Sequence, residues 1–185
     1  MWGQLRTVAL WGAAATVIAL AGCASVGSAG SIEGASDDVT LAQSKSPVQL
    51  LRNEAASRLP SIVLLDVAET TDTSVSCSDA DADPDGRARS WTSGLTVHVA
   101  NSRAASVPNV VSDLTDSFLE QDWTVSEEGE GSVVLANAGS AVVIELATAA
   151  REGNENATIR ITTSGPCVLT DGAESDEVKA LEGEL

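Results

Sequence analysis

Residues 106–125 read SVPNVVSDLTDSFLEQDWTV and contain the clearest helical pattern in the chain. Apolar residues recur at helical spacing, while acidic residues lie on the other side, which predicts an amphipathic helix. Ser106 is a candidate N-cap, and Pro108 falls in the first turn, where proline is well tolerated. Residues 123–125 follow directly and predict a strand. The apolar positions are Val107, Val110, Val111, Leu114 and Phe118.

A second helix and more strands are predicted on either side of this stretch. Ser46-Pro47 opens a helical pattern whose apolar face includes Val48 and Leu51, and Pro60 ends it. Alternating or β-branched apolar runs predict the strands. These runs are residues 61–68, 95–99, 123–125, 132–136, 141–147 and 157–163. The short links between the last four runs predict antiparallel pairing.

The order of these elements predicts an α+β domain with two layers. A sheet with one apolar face needs cover, and the two amphipathic helices supply it. We therefore expect an antiparallel sheet of about five strands covered by two amphipathic helices, within a single domain at residues 46–169. Residues 170–185 carry six acidic residues against one lysine, which predicts an acidic disordered tail.

The N-terminus contains an apolar run that ends in Leu20-Ala21-Gly22-Cys23. The run follows Arg6 and is too short to cross a membrane comfortably. The motif resembles the lipobox of bacterial lipoproteins, in which a diacylglyceryl group is attached to the cysteine and the chain is cut in front of it. The resemblance implies that residues 1–22 are a lipoprotein signal peptide and that Cys23 is the lipidated first residue. An ordinary signal peptide cut elsewhere, or an uncleaved anchor, is the alternative.

The same resemblance implies that the protein is held at the cell membrane by its lipid and faces outside the cytoplasm. Residues 23–45 are then the lipidated cysteine and a flexible tether, because residues 24–45 are rich in Ala, Ser and Gly and lack an apolar period. The tether would lift the domain clear of the lipid headgroups.

The chain is acidic and poor in aromatic residues. It has 10 basic and 27 acidic residues and a net charge of −17. This charge repels nucleic acid phosphates and anionic lipid headgroups, so we expect neither as a partner. Downstream of Cys23 the aromatic residues are Trp91, Phe118 and Trp123, too few to favour stacking on sugars or bases.

Two further cysteines, Cys77 and Cys167, form an even pair. In a compartment outside the cytoplasm such a pair predicts one disulfide, closing a loop of about ninety residues. Two free thiols, or half of a metal site, are the alternatives. A metal site would need additional cysteine or histidine ligands.

An alternating acidic stretch occupies residues 79–86. Read from Asp81 it follows Asp-x-Asp-x-Asp-Gly, which is the first half of an EF-hand-type calcium loop. Asp81, Asp83 and Asp85 are therefore candidate calcium ligands. Thr92 stands where the loop needs its bidentate glutamate, and two arginines follow the aspartates. The alternative is a solvated acidic loop that those arginines neutralise.

The sequence shows no catalytic constellation. The single histidine, His98, alternates away from the apolar side of its strand, and no Gly-x-Ser-x-Gly elbow is present. The overall layout is similar to a group of small actinobacterial lipoproteins. The likeness rests on the lipobox, the tether, Asp-Trp-Thr-Val at 122–125 and Gly-Pro-Cys at 165–167. This resemblance implies a location and a fold, and carries over no activity.

We therefore expect a non-catalytic binding or interaction module of the cell envelope. Its partner would be an envelope protein or a small ligand, and its contact surface the polar face of the sheet that carries Thr96 and His98. The alternative function is a calcium-binding or metal-dependent domain that uses residues 79–86.

Overall fold

The computed structural model describes residues 35–36, 38–150 and 156–183, all of which belong to one compact unit. The expected signal peptide and Cys23 lie outside the described residues. The described helices are α1 (Leu41–Ser57), α2 (Val107–Leu119) and α3 (Asp176–Glu182), with a 3-10 helix at Asn101–Ser106. The described strands are β1 (Leu64–Ser76), β2 (Ala88–Val99), β3 (Trp123–Gly129), β4 (Ser132–Asn137), β5 (Val143–Ala149), β6 (Thr158–Ser164) and β7 (Val168–Leu169).

These strands form one antiparallel sheet in the order β1-β2-β6-β5-β4-β3, and the short β7 pairs with the start of β2. The chain runs from β1 to β2, crosses to the far edge through α2, and returns strand by strand from β3 to β6. The expected antiparallel α+β architecture is confirmed. The strand number is larger than expected, with six main strands and a short seventh among the described residues.

The core lies on one face of the sheet and unites all three described helices. Along the inner strands, fully buried residues alternate with half-exposed ones, as pleating requires. The buried residues of β4, β5 and β6 include Leu135, Ile144, Leu146, Ile159 and Ile161, each 0 % exposed. Phe118 of α2 is equally buried and meets Trp123 edge to face, with 5.4 Å between ring centroids. The helix-to-strand junction recognised in the sequence is thus a packing unit.

Helix α1 begins earlier than Ser46, where the sequence predicted its start. Thr40 caps the helix: its hydroxyl accepts the Gln43 N–H, and the Gln43 side chain accepts the Thr40 N–H. This is a capping box, and Thr40 and Gln43 have the spacing that signals one. Pro47 lies inside the helix rather than at its start. Pro47 has no N–H to donate to the Gln43 carbonyl, so the helix lacks one backbone hydrogen bond at this point. The burial of Leu41 and Val48, on either side of Pro47, offsets this loss.

Strand β1 is longer than the predicted run at residues 61–68 and ends at Ser76. Its second half is mostly polar, so hydrophobic periodicity could not reveal it. The backbone of this half pairs with β2 in continuous register from Thr70 to Ser76. An edge strand needs little burial when its ladder with one neighbour is complete, which is why a polar sequence is extended here.

The segment after residue 169, expected to be disordered, contains helix α3. Ser175 caps the helix by accepting the Val178 N–H, and Val178 is 1 % exposed within the core. Lys45 of α1 donates to the Leu181 carbonyl at 2.9 Å. The expectation of disorder rested on six acidic residues set against a single lysine. The burial of Val178 and the hydrogen bond from Lys45 connect residues distant in the chain, and these contacts order the helix.

Candidate functional site

Cys77 and Cys167 form a disulfide, as the sequence predicted, with 6.1 Å between the Cα atoms. Cys77 directly follows β1, and Cys167 lies between β6 and β7. The bond therefore joins the edge of the sheet to its centre at one end of the strands. The Cys77 N–H also donates to the Ala88 carbonyl. With both sulfurs in this bond, neither the free-thiol nor the metal-site alternative applies.

Asp83 of the acidic loop is a structural residue in this fold. It is 5 % exposed, and its carboxylate accepts the Ala88 N–H at 2.7 Å. Backbone hydrogen bonds from Arg87 and Ala88 hold the pKa of Asp83 below its usual value. The side chain therefore closes the loop onto the start of β2.

The other carboxylates of this loop do not converge with Asp83. Asp79 accepts the Asp81 and Ala82 N–H groups, forming a local turn, while Asp81 and Asp85 are exposed. No group of three or more His, Cys, Asp or Glu side chains in the described part of the chain could hold a metal ion. The predicted calcium ligands Asp81, Asp83 and Asp85 are thus not brought together. The sequence motif misled because one of its carboxylates is used to hold the backbone.

A broad groove of about 1100 Å³ separates the acidic loop from the segment that leads into α3. Six acidic residues and two arginines contribute to its lining, and one of these arginines, Arg89, has its guanidinium bonded to the hydroxyl and carbonyl of Ser74. Glu182 approaches the same Ser74 and accepts from its N–H and hydroxyl and from the Thr73 hydroxyl. Partial burial raises the pKa of Glu182, but these hydrogen bonds and the charge of Arg89 outweigh it and lower the pKa. The arrangement fastens α3 to β1.

A buried ion pair links α1 to β1 nearby. Arg52 and Asp72 approach to 3.6 Å, with side-chain exposures of 12 % and 7 %. The pair is incompletely satisfied, because Arg52 Nε and Asp72 Oδ1 have no hydrogen-bond partner among the described residues. The neighbouring Trp91 Nε1 and Ser93 Oγ are also buried without a hydrogen-bond partner among the described residues.

His98 pairs with Asp66 of the neighbouring strand, with 2.7 Å between Nδ1 and Oδ1. Sequence reasoning missed this partner, because it found no acid near His98 along the chain and the register of β1 against β2 is a tertiary property. Thr158 is the cross-strand neighbour of His98 on the other side. Among the described residues its hydroxyl makes no hydrogen bond to the imidazole.

The pair belongs to the face of the sheet opposite the helices, which we call the open face. Its centre is formed by β2 and β6, where hydroxyl side chains stand in cross-strand register and Arg160 pairs with Glu145 of β5 at 3.8 Å. Gly94 makes room at the centre, because a Cβ there would lie 2.4 Å from the Thr71 hydroxyl. The hydroxyl residues are Thr71, Thr73, Thr92, Thr96, Thr158, Thr162 and Ser164. This face can donate and accept hydrogen bonds over a broad area.

The fold and these surfaces define a disulfide-braced α+β domain whose described helices all pack on one face of an antiparallel sheet. No protein-family model matches the chain, and comparisons with curated proteins and with solved structures also found no match. The described helices fall short of the length and apolar character that crossing a membrane requires.

Proposed function

We propose that this protein is a lipid-anchored, non-catalytic interaction module on the outer side of the cell membrane. Cys23 would carry the diacylglyceryl group, and the residues after it would tether the domain. A lipid anchor suits an acidic protein, because acyl chains hold it at about 0.8 kcal/mol per buried methylene without a basic patch.

The observation that carries the interaction role is the open face. A wide hydroxyl-rich surface, uncovered by the described helices, can hydrogen-bond a protein partner of the envelope. The disulfide and the ties between α1, α3 and β1 brace the sheet behind this face, so little ordering is required on binding.

The anchor is tested by growing cells that express the full chain with an alkyne analogue of palmitate. We expect label on the unmodified protein and none on Cys23→Ser. Equal labelling of both proteins would remove Cys23 as the attachment site.

The interaction role is tested by photo-cross-linking in living cells. A photoreactive amino acid is placed at Thr96 or Thr162 on the open face, and at the exposed Asn53 of α1 as a control. We expect one reproducible adduct from both open-face positions and none from Asn53. Adducts from Asn53 alone, or from none of the three, would contradict the proposal.

A further inference from the structure

A separate groove opens between α2 and the β3–β4 hairpin. It measures about 480 Å³, and its apolar walls come from Pro108 and Val111 of α2 and from Val125 and Val133 of the hairpin. Val125 is the cross-strand partner of Leu135, which is fully buried, yet Val125 itself is 45 % exposed. The core-facing side of β3 therefore extends beyond the cover that α2 provides.

β3 is also an edge of the sheet. Its outer side pairs with no described strand, so backbone N–H and C=O groups are available there for a further strand. β3 has one register shift, between Val125 and Glu127.

The opposite edge is better protected against an added strand. β1 has two register shifts within its first half, and in its second half Glu182 already accepts the Ser74 N–H. Bulges and covering side chains are common ways to block an edge. Of the two edges, β3 is therefore the less obstructed one, since it has one register shift where β1 has two and a covering side chain.

The part of the chain that forms this edge carries acidic residues and no basic ones. Residues 104–150, which span α2 and β3 to β5, contain no lysine or arginine. Arg58 reaches α2 at its C-terminal end, where it bonds Ser117 and covers the ring of Phe118. Residues 104–150 contain eight acidic residues, namely Asp113, Asp116, Glu120, Asp122, Glu127, Glu128, Glu130 and Glu145.

We propose that the outer edge of β3 and this groove bind an extended basic segment of another protein. The segment pairs with β3 as an additional strand, places an apolar side chain beside Val125, and sets its lysines or arginines against Glu127 on the other face of the strand. Glu128, on the same face as Val125, and Glu130, in the turn after β3, add to the negative potential that attracts the segment. A second copy of this chain is a poor occupant, since it would bring the same acidic surface to a like-charged edge. This inference goes beyond the proposed function and concerns a different surface, so either one can fail alone.

The test measures fluorescence anisotropy of short labelled peptides with the full-length protein in neutral detergent. One peptide alternates lysine and valine; the second alternates glutamate and valine. We expect saturable binding of the first and none of the second. Equal binding of both peptides would overturn the basic character of the occupant.

Charge-reversal variants locate the site. E127K/E128K/E130K should weaken binding of the lysine peptide at least about tenfold. The control D81K/D85K/D171K makes the same change in net charge at exposed positions away from β3 and should preserve the affinity. Equal losses in both triple variants would show non-specific attraction to an acidic protein and overturn the site.

Two further measurements separate strand pairing from simple charge attraction. A lysine–valine peptide with every backbone nitrogen methylated has no N–H left to donate on either edge, and we expect its binding to be lost. Val125→Ser removes the apolar contact without adding charge. It should weaken binding while leaving circular dichroism and thermal midpoint close to those of the parent, since the Val125 side chain is 45 % exposed. Unchanged affinity for the methylated peptide would overturn strand addition. Unchanged affinity of Val125→Ser would remove the groove from the site.

Discussion

At the scale of single residues, the polar side chains that matter most are those that hold backbone or bury charge. Asp83 illustrates this point. Its place in an alternating acidic run predicted a metal ligand. In the structure its carboxylate instead accepts hydrogen bonds from the backbone N–H groups at the start of β2. Such a choice depends on where the chain turns, and the residue spacing alone cannot reveal it.

Because of Asp83 and Glu182, we expect the stability of the folded protein to fall at acidic pH. Both have a lowered pKa in the folded state. Their stabilisation is therefore complete above the unfolded-state values, about 3.9 for Asp and 4.3 for Glu, and is lost as pH falls through the lower folded-state values. Urea unfolding between neutral and acidic pH should show a fall in stability in that window. Asp83→Asn and Glu182→Gln should each make the fall shallower, and an unchanged slope in both variants would contradict the assignment.

We expect substitutions of Arg52 and Asp72 to have strongly non-additive effects on the free energy of unfolding. Asp72→Ala leaves a buried guanidinium without its partner and should cost about 3 kcal/mol in unfolding free energy. The double variant Arg52→Met, Asp72→Leu should cost less than the sum of its single changes. Glu54→Ala is the control, because Glu54 pairs with Arg58 at the surface, and it should cost about 0.5 kcal/mol or less. Additive losses would show that the buried pair is uncoupled.

At the scale of elements, the helices and strands with apolar periodicity were predictable, and those held by polar contacts were not. α2 and the strands from β4 to β6 lie close to their predicted runs, whereas β3 continues to Gly129, four residues beyond the predicted run at 123–125. The second half of β1 and α3 lack such patterns. They are ordered by the ladder with β2, by Val178 and by Glu182, all of which depend on residues distant in the chain.

Helix α3 should protect the edge of β1. Glu182→Ala removes the acceptor for Ser74 and Thr73 and should cost about 1–2 kcal/mol. Hydrogen exchange of the Ser74 amide should accelerate in this variant. Glu177→Ala, at an exposed position of the same helix, is the control and should leave that exchange unchanged. Equally fast exchange in the parent protein would show that α3 is not docked.

The disulfide should contribute a large share of stability. Cys77 and Cys167 are 90 residues apart, and a cross-link closing a loop of that size is worth roughly 4–5 kcal/mol on the loop-entropy model. The double variant Cys77→Ser, Cys167→Ser should lose about this amount in urea unfolding, and reduction of the parent should have the same effect. A loss below about 1 kcal/mol would show that strain or residual structure cancels the benefit.

At the scale of the whole molecule, uneven charge is the dominant property. The chain has a net charge of −17, and residues 104–150 include no basic side chain. Like charges within one compact domain repel each other, and salt screens the repulsion over about 10 Å at 0.1 M ionic strength.

Moderate salt should therefore stabilise the protein. We expect the thermal midpoint to rise as sodium chloride is added from low ionic strength, by the equivalent of about 1 kcal/mol. E127Q/E128Q/E130Q should raise the midpoint at low salt and reduce its dependence on salt. Scanning calorimetry of both proteins checks this expectation, and a midpoint independent of salt in the parent would contradict it.

The sequence by itself determined the α+β class, the amphipathic α2, the antiparallel return from β3 to β6 and the disulfide between Cys77 and Cys167. Each of these follows from local periodicity, short connections or a count of cysteines. The tertiary structure alone decided the His98–Asp66 pair, the use of Asp83, the docking of α3 and the exposure of Val125. These depend on strand register and on how far each helix covers the sheet, and both are set by contacts between residues distant in the chain.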